Sequence, residues 1–242
     1  MTPAQLYAVV EATWPAAETV ERGCWTIRDG QGGGKRVSAA TARTDAITAA
    51  DLPAAESAMR ALGQTPLFMI RAGDEALDTL LAGAGYGVID PVNIHLAPVS
   101  ELNAPQPHST SFAIWEPLAI QIDMWATGGI GPDRVAVMRR AQCPKTSILA
   151  RDGQRAAATA YVGLHDGVAM VHALEVAPHC RRRGMGRRVM LRAAAWAREN
   201  GATHIAAVCT QENAAANALY ASLGMALVGQ YHYRIKEEAG PT

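Results

Sequence analysis

Residues 179–190, HCRRRGMGRRVM, hold five arginines and two glycines and no acidic side chain. The run follows an apolar, strand-like segment, HALEV, that Pro178 stops, and it opens a helical pattern near Gly184. A helix start presents four N–H groups without intrahelical partners, and the helix dipole adds partial positive charge, so anions bind well there. Glycine at 184 and 186 removes the Cβ that would hold a bulky ligand away from the backbone. Arg181, Arg182, Arg183 and Arg187 surround those amides with charge. The chemistry implied is a cradle for a diphosphate.

Other anion-binding patterns fit less well. A dinucleotide fingerprint needs a third glycine where Val189 stands, and an acid about twenty positions further on that is missing. A nucleic-acid surface would continue its basic residues along one face or add aromatic rings for stacking. Instead Met185, Val189, Ala193 and Ala197 recur every fourth residue as a core-facing stripe, leaving Arg188, Arg192 and Arg198 for solvent. A second glycine run, GQGGGKR, ends like a nucleotide-binding loop at Gly34-Lys35. Asp29 replaces the first glycine of that pattern, however, and Arg36 replaces its Ser/Thr. A flexible hairpin tip accounts for the glycines equally well.

Periodicity and turn signals supply the elements that must position the arginine run. KTSILARDG, QRAAATAYVGLHDG and VAMVHALEV predict three strands joined by D-G and H-D-G turns. A helix then runs to Asn200 and stops at Gly201, HIAAVCT is a strand, AAANALYASLG a helix and LVGQYHYRI a final strand. AIQIDMWATG and PDRVAVMRRAQ precede them as two short helices. Near the N-terminus, AQLYAVVEAT is a helix ended by Pro15, CWTIRD a strand, and DLPAAESAMRALG a helix capped by Asp51. This is an α/β arrangement with a mixed sheet. APVSELNAPQPHST, at 97–110, is the linker candidate and divides the chain into 1–105 and 106–242. Strand, helix ending in Gly and strand occur on both sides of it. Aligning Gly85 with Gly224 sets Leu81 opposite Tyr220.

Composition bounds the function. Hydrophobic residues make up 49% and charged residues 18%, which suits an ordinary core and not disorder. The formal net charge is +0, but residues 1–105 hold 7 Lys/Arg against 12 Asp/Glu and residues 106–242 hold 15 against 10. An anion therefore belongs with the second half. Cys24, Cys143, Cys180 and Cys209 are scattered without a C-x-x-C pair, which points to reduced thiols in the cytoplasm and to no metal site. The N-terminus lacks a basic region and meets Glu11 early, unlike a signal peptide. No stretch approaches the ~20 apolar residues of a membrane span.

RRRGMG (181–186) matches the Q/R-x-x-G-x-G/A signature of the GCN5-related N-acetyltransferases (GNAT). NAAANALYASLGM (213–225) resembles their N-x-x-A-x-x-L-Y-x-x-x-G-F motif, with Met225 in place of Phe, and ALEVAP resembles the strand before the signature. The resemblance implies the GNAT fold, a mixed and mostly antiparallel central sheet flanked by helices. It also implies acetyl-CoA as co-substrate, without metal, and acetyl transfer to a primary amine by direct attack in a ternary complex. Carried over, Arg181, Arg182, Arg183, Gly184, Met185, Gly186 and Arg187 would hold the pyrophosphate, chiefly through backbone amides. Leu174 and Val176 would pair their backbone with pantetheine, and Asn213 would hydrogen-bond it while capping the helix that follows. Tyr220 would protonate the leaving thiolate, a feasible transfer between a phenol of pKa ~10 and a thiol of ~8.5. For the general base, Glu175 comes first, His172 second and Glu212 third, although Glu175 could instead pair with an arginine.

The first half lacks the signature and has Leu81 where the second has Tyr220. It is expected to be a degenerate GNAT-like half, as in tandem chains of the family, that shapes the acceptor pocket with CWTIRD and KRVSAATA. Buried area or a homodimer contact is the alternative role. The acceptor, a small amine or a peptide N-terminus, stays open because such contacts carry no transferable motif. So do two other functions, a CoA-binding sensor without catalysis and a nucleic-acid module.

Overall fold

The computed structural model describes residues 1–105 and 110–236. Residues 106–109 of the expected linker lie outside the described residues. In chain order, the first elements are α1 (Pro3–Thr13), β1 (Glu18–Arg22), β2 (Trp25–Asp29), α2 (Lys35–Ser38), β3 (Thr41–Ala42), α3 (Leu52–Ala61), β4 (Leu67–Ile70), α4 (Glu75–Gly83) and β5 (Gly87–Pro98). There follow β6 (Ser111–Ile114), α5 (Ala119–Thr127), α6 (Pro132–Arg140), β7 (Lys145–Asp152), β8 (Arg155–His165), β9 (Val168–Val176), α7 (Met185–Glu199), β10 (His204–Thr210), α8 (Ala214–Ser222) and β11 (Ala226–Ile235).

Compactness divides the chain in a way that a single cut after residue 105 does not reproduce. One unit takes Met1–Pro15, Ile94–Cys209 and Asn213–Val228. The other takes Ala16–Asn93, Thr210–Glu212 and the residues from Gly229 on.

In the first unit the strand order is β5-β10-β9-β8-β7-β6. β9 and β10 are parallel, whereas β6–β7, β7–β8 and β8–β9 are antiparallel. The sheet is thus mixed and mostly antiparallel, flanked by helices, as the resemblance implied. α7 lays its predicted stripe, Met185, Val189, Ala193 and Ala197, into the core formed with Ile148, Ala158, Val162 and Val171. On the other face, Val9 and Val10 of α1 pack against Val168, Met170 and Ala206. Two arginines expected in solvent are used structurally. Arg188 donates to the Arg151 carbonyl, and Arg198 donates to the carbonyls of Val99 (2.8 Å) and Leu102 (3.2 Å). A long side chain that reaches back from a helix can satisfy a loop carbonyl while its stem stays packed.

The second unit holds a three-stranded sheet, β1-β2-β3, and the order β4-β11-β5. Its core gathers Trp25, Ile27, Met59, Phe68, Leu77 and Leu81. The glycine run leads into the one-turn α2 rather than forming a hairpin tip, and Lys35 pairs with Asp90 at 2.8 Å. Asp51 precedes α3, but its carboxylate turns back to the Thr48 N–H and hydroxyl, both at 2.8 Å, instead of capping that helix. Asp78 of α4 accepts a fork from Arg234 of β11, at 2.7 and 3.0 Å, and bonds His232 at 2.8 Å.

Gly186, one residue into α7, serves packing. A Cβ there would stand 2.9 Å from Leu219 Cδ2 of α8, with Leu174 Cδ2 at 3.9 Å. Gly186→Val is therefore expected to cost about 1–3 kcal/mol by overpacking. Adding Leu219→Ala should recover part of that loss in a double-mutant cycle of thermal unfolding, and additive losses would refute the contact. The Arg234 fork holds the Asp78 carboxyl below its ordinary value, helped by His232 and opposed by burial. The folded pKa thus lies below the unfolded ~3.9, so this stabilisation is complete above that value and disappears as pH falls through the folded one. Asp78→Asn should cost about 1–2 kcal/mol at pH 7, with the gap to wild type closing as pH falls through the lowered folded value.

Candidate active site

Paired residues of β9 and β10 run from Val168↔His204 to Val171↔Ala207 and go no further. Beyond that point the β10-facing edge of β9 has no strand partner among the described residues. The cause lies two residues on. Ala173 adopts φ 52, and the β8–β9 register slips there, from Tyr161↔His172 to Thr159↔Glu175. The Trp125 indole, on the fully buried side chain of α5, donates to the Ala173 carbonyl at 2.8 Å. An inserted residue reverses side-chain parity along a strand. Leu174 and Val176 therefore return to the α7 face beside Val171, while Glu175 turns toward the end of α5. A Cβ on Gly128 would lie 2.6 Å from Glu175 Oε2.

The loop after β9 enters α7 through two left-handed residues, Arg182 (φ 58) and Gly184 (φ 77). A Cβ at Gly184 would meet nothing within 4 Å, so this glycine is needed for its backbone angle and borders open space. The first intrahelical bond runs from the Arg188 N–H to the Gly184 carbonyl (3.0 Å), which leaves the amides of Met185, Gly186 and Arg187 directed out of the helix start. The arginines differ in use. Arg181 pairs with Glu175 at 3.2 Å and donates to the Val176 carbonyl at 3.2 Å, and Arg183 pairs with Asp152 at 2.7 Å. Both arginine side chains stay more than half exposed, at 59% and 57%.

The two leading base candidates occupy different settings. Glu175 is held by Arg181, with 20% of its side chain exposed. His172 is buried, its Nε2 2.8 Å from Thr13 Oγ1 and its ring 5.0 Å from Trp14. Thr13 gives its hydroxyl proton to the Val9 carbonyl at 2.7 Å, so His172 Nε2 must be the donor to Thr13. Glu212, the third candidate, is exposed and belongs to the other compact unit.

Tyr220 is buried in the α7 core cluster. Burial, with a smaller contribution from Cys209, pushes its phenol well above the ordinary tyrosine value, and burial raises the Cys209 thiol to about 11. Asn213 caps α8, its Oδ1 accepting the Ala216 N–H at 3.0 Å. Residues that the sequence motifs did not single out also converge here. His95 of β5 lies with its ring 5.2 Å from that of Tyr220, and its Nε2 is 3.1 Å from Asn217 Oδ1. A histidine in the apolar run NIHLA was the available signal.

These features fit an acyl-CoA: a strand edge left unpaired, a glycine-entered helix with outward amides, and open space at Gly184. Among the described residues no group of three His, Cys, Asp or Glu side chains is placed to hold a metal ion. No helix among them is long and apolar enough to cross a membrane.

Residues 118–225 match the family model described as Acetyltransferase (GNAT) family. The curated Bacillus subtilis (strain 168) protein "Uncharacterized N-acetyltransferase YobR" is 28% identical over 240 residues, covering 93% of this chain and 95% of its own. Among solved structures, "GCN5-related N-acetyltransferase from Kribbella flavida" has a TM-score of 0.69 at 18% identity, over 98% of this chain and 96% of that one. "Tandem GNAT protein from the clavulanic acid biosynthesis pathway (without AcCoA)" has a TM-score of 0.61 at 12% identity, over 99% and 89%. These two share the fold. Residues 118–225 thus carry the match to the acetyltransferase (GNAT) family, and the chain as a whole is similar to N-acetyltransferases of that fold.

Proposed function

We propose that the protein transfers an acetyl group from acetyl-CoA to a primary amine by direct attack, both substrates being bound together. The observation that carries this reading is the parting of β9 from β10 beside a helix entered through left-handed Gly184. Acetyl-CoA supplies the thioester and the leaving thiol. The outward amides of Met185, Gly186 and Arg187 bind its diphosphate, with the exposed guanidiniums of Arg182 and Arg187 adding charge. Arg181 and Arg183, each already paired with a carboxylate, contribute less than their charge suggests. Leu174 and Val176 offer backbone groups to the pantetheine arm, and Asn213 is a further contact through whatever hydrogen-bonding capacity its cap leaves.

Tyr220 holds the proton for the departing sulfur. Its raised pKa keeps the phenol protonated at neutral pH and disfavours a free tyrosinate. Glu175 takes the amine proton, directly or through water, because it is partly exposed while His172 is buried and tied to Thr13. The acceptor class is a small amine or a peptide N-terminus. The acidic first half adds electrostatic attraction for such a cation. That half lacks the cofactor motif, and Leu81, where a phenol would stand, is fully buried in an apolar cluster. Four free cysteines suit a cytoplasmic setting.

Two variants test the two parts. Gly184→Glu should abolish the thermal shift given by CoA, because a carboxylate would face the diphosphate. Gly184→Asn, which tolerates a left-handed backbone, separates that effect from strain. Unchanged CoA affinity in Gly184→Glu would sink the amide cradle. Tyr220→Phe should lower kcat by about a hundred-fold while CoA affinity stays within a few-fold, read by thiol release across a panel of amines. Equal rates for Tyr220→Phe and wild type would remove Tyr220 as the acid.

A further inference from the structure

β1, with the sequence ETVER, is an edge strand of the three-stranded sheet, and all five of its residues are exposed. β2 lies on one side of it, and no strand among the described residues lies on the other. The hairpin register fixes where its backbone groups point. Arg22 and Trp25 flank the two-residue turn Gly23-Cys24, so they exchange both hydrogen bonds, as do Val20 with Ile27 and Glu18 with Asp29. The N–H and C=O groups of Thr19 and Glu21 therefore face the open edge. The side chains of the strand divide by face. Glu18, Val20 and Arg22 share the face of Trp25 and Ile27, which pack in one core with Ala55 and Met59 of α3. On the other face, Glu21 is already neutralised by Arg43 at 2.7 Å.

We propose that β1 pairs antiparallel with β1 of a second copy of this chain, across a two-fold axis at Val20, to make one continuous sheet of six strands. The charges on the edge select this partner. Glu18 and Arg22 stand four residues apart, about 13 Å along an extended strand, so they cannot pair with each other. Neither forms an ion pair with another described residue. A two-fold at Val20 sets Glu18 opposite Arg22 of the partner subunit, twice, and sets Val20 opposite its own copy. Thr19 and Glu21 then form the hydrogen-bonded pairs, in agreement with the edge that their backbone groups face. A two-fold at Glu21 would oppose two carboxylates, and one at Thr19 would set Glu18 against Val20 and leave Arg22 without an opposite charge. Within the hairpin Glu18 stands across from Asp29, a like-charged pair that an arriving guanidinium relieves.

Charged residues usually protect an edge strand from pairing, but ETVER carries opposite signs at mirror-related positions and so admits its own copy. A five-residue strand is a small interface, whereas a specific one buries about 800 Å² per partner. The remainder lies beside it. A groove of about 490 Å³ opens next to Arg22, between the hairpin turn and α3, with Trp25, Ala54, Ser57, Ala58 and Ala61 among its lining. Opposed residues share a face, so both α3 helices come to lie on one side of the joined sheet, with the two grooves and the Val20 pair between them. Val20, 39% exposed in the single chain, is covered there. The small side chains on the α3 wall let the second copy approach. Main-chain bonds and this apolar contact supply the affinity, while the exposed ion pairs set the register.

Sedimentation velocity of the full chain over a dilution series tests the pairing. Wild type should dimerise with a Kd in the micromolar range, as suits a small interface. Thr19→Pro removes an outward N–H without touching the β1–β2 ladder, so it should give a monomer whose circular dichroism matches wild type. Glu18→Arg or Arg22→Glu alone sets like charges opposite each other and should raise the Kd by about tenfold or more. The double variant Glu18→Arg/Arg22→Glu restores opposite charges and should return the Kd to within a few-fold of wild type. A wild type that stays monomeric throughout the series overturns the proposal, and so does a dimer that survives Thr19→Pro. Single reversals without effect, or a double variant no tighter than either single one, overturn it as well. Should Thr19→Pro fail to fold, the charge-reversal cycle decides alone.

Discussion

A single hydrogen bond, from the Trp125 indole to the Ala173 carbonyl, holds the point on which the site depends. Alanine at φ 52 costs on the order of 1–2 kcal/mol relative to an ordinary strand angle. A buried indole N–H with no other acceptor offsets that cost, because leaving it unpaired would be at least as expensive. The kink has three consequences that a regular strand would not give. Pairing with β10 stops at Val171, so a strand edge becomes available to a ligand. Leu174 and Val176 are returned to the α7 face, where Leu174 packs near Gly186. Glu175 is sent to the opposite face, where it lies over Gly128 within reach of Arg181. One inserted residue thereby sends Leu174 and Val176 to one face of the sheet and Glu175 to the other.

The arginine-rich loop illustrates how charge and geometry divide a binding task. Three consecutive arginines suggest a guanidinium clamp, yet Arg181 and Arg183 are each committed to a carboxylate. What the loop holds in common is backbone: two left-handed residues and a helix start whose amides point outward. The two glycines of the signature do different work. Gly184 supplies an angle that other residues adopt poorly and faces empty space, whereas Gly186 makes room for Leu219. Substitution at either position would disturb the helix start, but through backbone conformation in one case and helix packing in the other.

How much of this was legible in the sequence varied with the range of the forces involved. Strands β7 to β10 and helices α5 to α8 follow from local periodicity and turn chemistry, and they stand where those signals put them. Position 173 was only partly legible, because VHALEV breaks its alternation at Ala173-Leu174 while the bulge itself depends on an indole 48 residues away. The same holds for Arg198, whose carbonyl partners lie nearly a hundred residues back, and for Asp51, which bonds Thr48 where a helix cap was expected. Polar side chains choose among partners that only the folded chain brings near, so hydrophobic patterning transfers from sequence to structure better than hydrogen bonding does.

The placement of β5 adds a constraint that a division into sequential halves conceals. Residues from Ile94 belong to the compact unit that contains α7 and α8, although they precede the linker. A strand buried between neighbours on both sides must alternate its side chains between two cores. Ala97 accordingly enters the α7 cluster, while Leu96 packs with α1 residues on the other face. His95 shares the parity of Ala97 and so lies beside Tyr220, where an apolar residue would have packed at lower cost. The part of the chain without a cofactor motif thus places a titratable group in the environment of the phenol. A change at His95 of β5 would reach the surroundings of Tyr220 without touching either motif by which the domain is recognised.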